Sequence, residues 1–454
     1  MPAPAAALLS IGDELTLGQS VDSNSAWIAD RLLDLGVRVI EHATVEDDSV
    51  AMAAAFRRLA GAADLLICTG GLGPTADDLT RQVLAEHLDS RLVEDAGSLT
   101  RIEQWAVGRG GLPAINRVEA LRPESGESLE NLHGTAPGLR ARDARQGTEI
   151  FCLPGPPHEM KPMFERFVAP FAMALTNAVT RTRLLLTFGL GESRIAELLG
   201  PLMDRSRETH RLALVGTTAS DGVVTCRIRA EGPDERAADR LIDEAEREIM
   251  SRLEAAGVDK IIFDRRDGAS ANQTSTNALP AAVVALLRDR NERLAVVESC
   301  TGGMLGSAIT AIPGSSEVFA GGWLTYSNAM KSALVGVPEK IIKAHGAVSA
   351  ECAIAMAAGA LDRLDQTAES CVHALSITGV AGPGGGSDDK PVGTVWIAAA
   401  TRRDGKKSAE ARRFKFSGDR DRIRIRSVQA ALGILRLRML GLDMELLWEA
   451  ERRN

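Results

Sequence analysis

Asp64-Leu-Leu-Ile-Cys-Thr-Gly-Gly-Leu-Gly-Pro-Thr-Ala-Asp-Asp-Leu-Thr80 decides the fold of the first third of the chain. Its first five residues form a short apolar run of the kind a parallel sheet buries on both faces. A glycine-rich turn follows, and then the start of a helix. A strand, a glycine loop and a helix N-terminus bring backbone amides and the positive end of a helix dipole to one point, where a phosphate fits. Asp77 and Asp78 stand at the expected helix start, where hard carboxylate oxygens suit a divalent cation. The plainer reading makes the glycines a tight turn and the aspartates a complement to the helix dipole.

The flanking segments alternate in the same way. Ala6 to Ile11 reads as a strand, and Ser23 or Ser25 can cap a helix whose stripe is Trp27, Ile28, Leu32 and Leu35, ended by Gly36. Val37 to Thr44 is the next strand and Val50 to Leu59 the next helix. This is a doubly wound α/β pattern, in which loops at the carboxyl ends of strands converge on one crevice. Gly12, Asp13, Glu14 and Asn24 belong to such a loop, as do Thr69, Gly70, Gly71, Gly73 and Thr75. Asn131, Gly134, Pro154 and Gly155 lie in two further loops of the same character.

At 454 residues the chain is long for one core, so two or three domains are expected. Hydrophobic residues at 45% and charged residues at 25% describe a folded enzyme rather than a disordered chain. The net charge of −8 gives no positive field for nucleic acid or an anionic membrane. Six cysteines without paired CxxC spacing argue against a zinc knuckle or a disulfide framework and for a reducing, cytoplasmic setting. The apolar opening lacks the basic region of a signal peptide, and no run approaches the roughly 18 apolar residues of a membrane span.

From about Arg181 a smaller α+β region follows. Leu184 to Phe188 reads as a strand, Gly189-Leu-Gly-Glu-Ser193 opens a helix, and Val223 to Ala230 alternates as a half-exposed strand. A helix through Ile242 and Leu253 and a strand at Lys260 to Phe263 complete it. Asp264 to Thr276 is polar, lacks periodicity and reads as a linker. The expected domains are residues 1–170, 171–270 and 271–454.

The last domain carries the second cluster of chemistry. Glu298-Ser-Cys-Thr-Gly-Gly303 follows the strand Leu294 to Val297 and precedes a helix. Gly314-Ser-Ser316, Thr325-Tyr-Ser-Asn328 and Lys331 come next. A hydroxyl attacks a carbonyl only when a base takes its proton and donors await the oxyanion. A lysine serves as that base only when burial lowers its pKa from about 10.4 towards about 7 to 8. Cys300 invites a thiol-nucleophile reading, but a packing role suits a buried free cysteine better.

These motifs carry a resemblance. Across roughly its first 165 residues the chain resembles the molybdopterin-binding-like domain of the CinA family, the competence- and damage-inducible proteins. From about Leu279 to Leu440 it resembles that family's nicotinamide-nucleotide amidase domain, on Glu298 to Gly303, Gly314 to Ser316, Thr325 to Asn328, His345 to Ser349, Gly379 to Pro383, Lys390 to Thr394 and Phe416 to Arg420. Val297 departs mildly from the alanine often found there.

The resemblance implies three domains: a doubly wound domain, a KH-like α+β domain and an α/β amidase domain. It implies a bifunctional enzyme of the pyridine nucleotide cycle. One half would deamidate nicotinamide mononucleotide to nicotinate mononucleotide without a cofactor. The other would hydrolyse ADP-ribose to AMP and ribose 5-phosphate with a divalent metal at Asp77 and Asp78. Carried over by position, Ser316 is the nucleophile, Lys331 the base and Tyr326 an assisting hydroxyl, with Ser299 in the same centre. Cys300, Thr301, Gly302, Gly303, Thr378, Gly379 and Arg420 would bind substrate, with the amides of Gly302, Gly303 or Gly379 at the oxyanion and Arg420 at a phosphate. The KH-like insert, with Glu192 inside its loop in a protein that is acidic overall, suits a spacer or homodimer contact better than RNA. Two alternatives remain: a pterin- or nucleotide-binding module without hydrolysis, and a regulatory partner in competence or DNA damage.

Overall fold

A computed structural model describes residues 4–106, 113–176, 178–204, 212–268, 277–365 and 372–442. They pack as two compact units, Met1–Thr182 with Arg229–Ile242, and Arg183–Ile228 with Asp243–Asn454. No helix among the described residues is long and apolar enough to cross a membrane.

The first unit is built on a six-stranded sheet in the order Arg38–Val45, Ala5–Ile11, Leu65–Thr69, Thr148–Leu153, Gly138–Asp143 and Gly126–Leu129. The first four strands run parallel and the last two close the sheet antiparallel. Alternate residues leave opposite faces of a strand. Leu9 and Leu66 therefore join Phe56 and Val83 in one core, while Leu8 and Phe151 join Ile28 and Phe164 in the other. Helices Ser23–Asp34 and Ser49–Ala60 occupy the stretches read from periodicity, and Asp22 and Asp48 cap them. Asp22 takes the capping place expected of Ser23 or Ser25 because its carboxylate accepts from the Ser25 amide.

The helix after the glycine loop begins at Thr80, later than the sequence suggests. Asp77 and Asp78 thus lie in the preceding turn. Asp78 folds back to accept from the amides of Gly73 and Thr75, which satisfies the loop rather than a helix start.

In the second unit, helix Glu192–Met203 stands where the Gly189 to Ser193 turn predicts it. Strand Ile262–Asp267 runs antiparallel to residues 183–187, so part of the expected linker is strand. The reason is electrostatic: the nearly buried Arg183 guanidinium pairs with Asp267, Asp243 and Glu246, which holds this polar stretch in place. Linker residues 269–276 lie outside the described residues, as does Cys371.

A five-stranded sheet organises the rest, in the order Phe319–Leu324, Leu294–Glu298, His373–Gly379, Thr394–Arg403 and Lys406–Lys415. Its first three strands are parallel and its last two antiparallel. Helix Asn328–Val335 leaves the edge strand and presses on helix Ala350–Leu364. The approach is so close that a Cβ at Gly359 would lie 1.8 Å from the Val335 carbonyl oxygen.

Gly359→Ala should therefore push the Lys331-bearing helix outward. Overpacking of this kind costs about 1–3 kcal/mol, so scanning calorimetry should show a lowered melting midpoint. An unchanged midpoint would mean the two helices part freely.

Candidate active site

The Glu298 to Gly303 turn joins strand Leu294–Glu298 to helix Met304–Thr310. Gly302 and Gly303 both have positive φ, at 61° and 100°, which glycine adopts without steric cost. The buried Glu298 carboxylate accepts from the amides of Gly303, Leu305 and Gly306 and so caps that helix. The Ser299 amide donates to the Ile377 carbonyl, which anchors the turn to the central strand.

Lys331 enters from helix Asn328–Val335. Its Nζ lies 3.1 Å from Ser299 Oγ and 2.7 Å from the Thr325 carbonyl oxygen. Lys331 is 1% exposed and Ser299 8%. Burial lowers the lysine pKa below its ordinary value, because a dry pocket disfavours the ammonium form. A hydroxyl beside an amine of lowered basicity is the arrangement that a nucleophile and its base require.

Ser316 is not part of this pair. It precedes the edge strand, at the end where Val318 O accepts from Leu294 N, whereas Ser299 and Thr325 follow the other end, where Glu298 pairs with Leu324. The residues from Val318 to Leu324 span roughly 20 Å at about 3.3 Å each, well beyond the reach of a lysine side chain. Ser316 is also exposed and makes no hydrogen bond among the described residues. The expected partner of Lys331 is corrected to Ser299, and strand direction is the reason.

Tyr326 is exposed, and its Oη accepts from Arg420 at 3.3 Å. Arg420 also donates to the Gly382 carbonyl at 2.6 Å from the first turn of helix Arg420–Met439. One turn on, Arg424 donates to the Thr301 carbonyl at 3.0 Å. The sequence reading left Arg424 without a role, although its spacing from Arg420 puts both on one helix face.

Burial pushes the Cys300 thiol up to about 11, so it stays protonated and serves packing. Thr301 is wholly buried. The amides of Gly302 and Gly303 donate to the Ser299 carbonyl and to Glu298, which removes both as oxyanion donors. Thr378 Oγ1 donates to the Ala347 carbonyl at 2.8 Å, and Gly379 leaves no room for a Cβ beside Val395.

In the first unit a cavity of about 420 Å³ opens at the carboxyl ends of the parallel strands. Gly12, Glu14, Gly70, Gly71, Gly73, Thr75, Asp77, Asp78, Pro154 and Gly155 line it, together with Asp47 and Glu119, which the sequence reading did not assign. Asp13, Asn24, Thr69, Asn131 and Gly134 support it from outside. Asp13 and Asp47 each accept from the other's amide, and Asn24 donates to the Gly155 carbonyl at 2.7 Å. Thr69 meets Ser10, and Asn131 donates to Glu159 at 2.6 Å, where a Cβ at Gly134 would collide. Gly70 is required because a Cβ there would lie 2.2 Å from the Ile11 carbonyl oxygen.

The pairing of Asp77 with Asp78 at a metal is revised in part. Both oxygens of Asp78 already accept from the loop, while Asp77 is exposed. The carboxyl of Asp47 is raised by burial and by the neighbouring charges of Asp13, Asp77 and Glu14. The register of Ile11 with Val45 brings Asp47 to that mouth. Among the described residues no group of three or more His, Cys, Asp or Glu forms a ready cage, but the donors are all hard oxygens of the type a divalent cation takes.

Family comparisons match the chain in three regions. Residues 7–174 match the probable molybdopterin binding domain, residues 182–256 the damage-inducible protein CinA KH domain, and residues 276–439 the CinA C-terminal domain. A protein of Caldicellulosiruptor bescii named for competence-damage induction is 39% identical over 96% of this chain and 99% of its own length. A CinA-like protein of Synechococcus sp. RCC307 is 40% identical over 95% of this chain and 98% of its own. A crystal structure of a CinA superfamily protein from Klebsiella pneumoniae is 32% identical, covering 37% of this chain and 99% of that one, with a TM-score of 0.34. On the strength of its full-length relatives, the chain belongs to the CinA family, with a molybdopterin-binding-like domain, a KH domain and a CinA C-terminal domain.

Proposed function

We propose that the chain is a bifunctional hydrolase of pyridine-nucleotide recycling, working as a cytoplasmic homodimer. The C-terminal domain deamidates nicotinamide mononucleotide, and the observation that carries this reading is the buried hydrogen bond between Lys331 Nζ and Ser299 Oγ. Neutral Lys331 takes the proton of Ser299, whose oxygen bonds to the carboxamide carbon. The C–N bond then breaks, and Lys331 returns the proton so that ammonia leaves. Water, deprotonated by the same amine, hydrolyses the ester and regenerates the serine. Tyr326 and Arg420, already joined, stand at the rim as a hydroxyl and a cation for the nucleotide phosphate. The exposed apolar side chains of Leu324, Met330 and Leu334 support a contact between copies.

Purified protein should release ammonia from nicotinamide mononucleotide. Ser299→Ala and Lys331→Met should each lower kcat at least about a thousandfold, as loss of a nucleophile or its base does. Ser316→Ala should keep near-parental turnover. The opposite pattern, with Ser316 essential and Ser299 dispensable, overturns the assignment.

The base acts only when unprotonated, so kcat/KM should climb with pH and level off above the lowered pKa of Lys331. A rate that falls with rising pH across neutrality contradicts a lysine base.

The N-terminal cavity supports metal-dependent hydrolysis of ADP-ribose to AMP and ribose 5-phosphate. Asp47 and Asp77, which both line the cavity, would hold the divalent ion, which when bound would neutralise pyrophosphate charge and polarise it. The chain itself supplies the glycine loop that approaches the phosphates and the Asp78 carboxylate that fixes it. AMP should appear from ADP-ribose with magnesium or manganese and disappear with chelator, and Asp47→Asn should cut the rate about tenfold or more. The match to a molybdopterin binding domain favours a second reading, a binding module without hydrolysis. Binding of ADP-ribose with no AMP under either metal would select it.

A further inference from the structure

The glycine loop of the first unit is pinned from behind by a side chain that neither proposed reaction uses. Arg81, in the first turn of helix Thr80–His87, is completely buried. Its Nη1 donates to the Gly73 carbonyl at 3.1 Å and its Nη2 to the Leu72 carbonyl. From the other direction, Asp78 accepts from the amides of Gly73 and Thr75. The peptide between Leu72 and Gly73 is thus gripped at both ends, its carbonyl by a guanidinium and its amide by a carboxylate.

That grip has a consequence for the cavity. Carbonyl oxygens facing it would repel an anion, and Arg81 holds two of them on a buried cation. The residues left lining the cavity in this stretch include Gly70, Gly71, Leu72, Gly73 and Thr75. Burial lowers the Arg81 pKa to about 10, which still leaves the group charged at neutral pH. Glu119 and Asp78 are the opposite charges it feels, yet neither forms an ion pair with it among the described residues, and its Nε finds no partner. A buried, incompletely paired cation is costly for stability, and beneath an anion site its field has a use.

We propose that Arg81 is a positioning residue that makes the 70–75 loop a cradle for the pyrophosphate of a nucleoside diphosphate sugar. It acts through the Leu72 and Gly73 carbonyls and does not touch the ligand. The inference rests on the N-terminal reading above for the identity of that ligand.

Isothermal titration of the full chain with inorganic pyrophosphate and magnesium, beside KM and kcat for ADP-ribose, tests it in Arg81→Gln and Arg81→Lys. Pyrophosphate should bind about 10- to 100-fold more weakly to both variants, the range seen when a group that orients ligands is lost. KM for ADP-ribose should rise in step while kcat changes less. Lysine should not rescue, because its single nitrogen lacks the planar fork of two separate nitrogens that reaches the Leu72 and Gly73 carbonyls. Where Arg81→Gln does not fold, Arg81→Lys carries the same comparison, with circular dichroism confirming the fold. Parental affinity in a folded variant, full rescue by lysine, or a parent protein that binds no pyrophosphate each overturns the proposal. A parent that binds pyrophosphate but releases no AMP from ADP-ribose defeats the hydrolase reading alone and leaves the cradle standing.

Discussion

An amine held out of water at Lys331 is the constraint on which the C-terminal domain depends. Each unit by which its pKa falls represents about 1.4 kcal/mol of preference for the neutral form, and the surrounding fold must supply it. The side chain is delivered by a short helix fixed at both ends. Ser327 caps its start by accepting from the Met330 amide, and Arg363 donates to the Ala333 and Leu334 carbonyls at its end. Gly359 lets the same helix lie against its neighbour without a gap. A freer helix would let the ammonium snorkel to solvent and lose the lowered pKa that the proposed base role needs.

Both units solve the same problem with the same parts. Parallel strands stop together, their carboxyl ends release glycine turns, and antiparallel strands finish the sheet on one side. Each turn is then held by an acidic side chain bonded to backbone amides, Asp78 in one unit and Glu298 in the other. A carboxylate placed this way satisfies donors that a buried loop would otherwise leave unpaired. It also fixes the loop, and a fixed loop keeps its remaining groups aimed at a ligand.

Much of this was legible from residue order. The apolar run Leu65 to Cys68 and the stripe through Ile28 and Leu32 place a strand and a helix because side-chain periodicity is local. The glycine loops and the Ser299 turn were legible for the same reason. The partner of Lys331 was not. Ser299 and Ser316 both lie upstream of it, and only the direction of strand Phe319–Leu324 sends one to the site and the other to the far end. Asp47 was hidden differently: it follows a half-exposed strand in an acidic run, and its place at the cavity comes from pairing with the first strand. The bonds from Asp78 to the loop amides were hidden too, because a sequence shows a carboxylate and not what the carboxylate already binds.

Glu298 shows how one such commitment shapes the chemistry. It adjoins Ser299 in the chain, and were its carboxylate turned toward Lys331 it would stabilise the ammonium and raise the pKa. Its oxygens instead face Gly303, Leu305 and Gly306, where the helix N-terminus favours negative charge. The opposing influence that Lys331 does feel comes from Cys352 and Cys300, whose own thiols burial keeps protonated. With no carboxylate paired to it among the described residues, the amine feels chiefly the desolvation that disfavours its charged form, and it sheds the proton more easily. The helix cap therefore does two things at once: it shapes the turn that presents Ser299, and it commits the neighbouring Glu298 carboxylate to backbone amides rather than to Lys331.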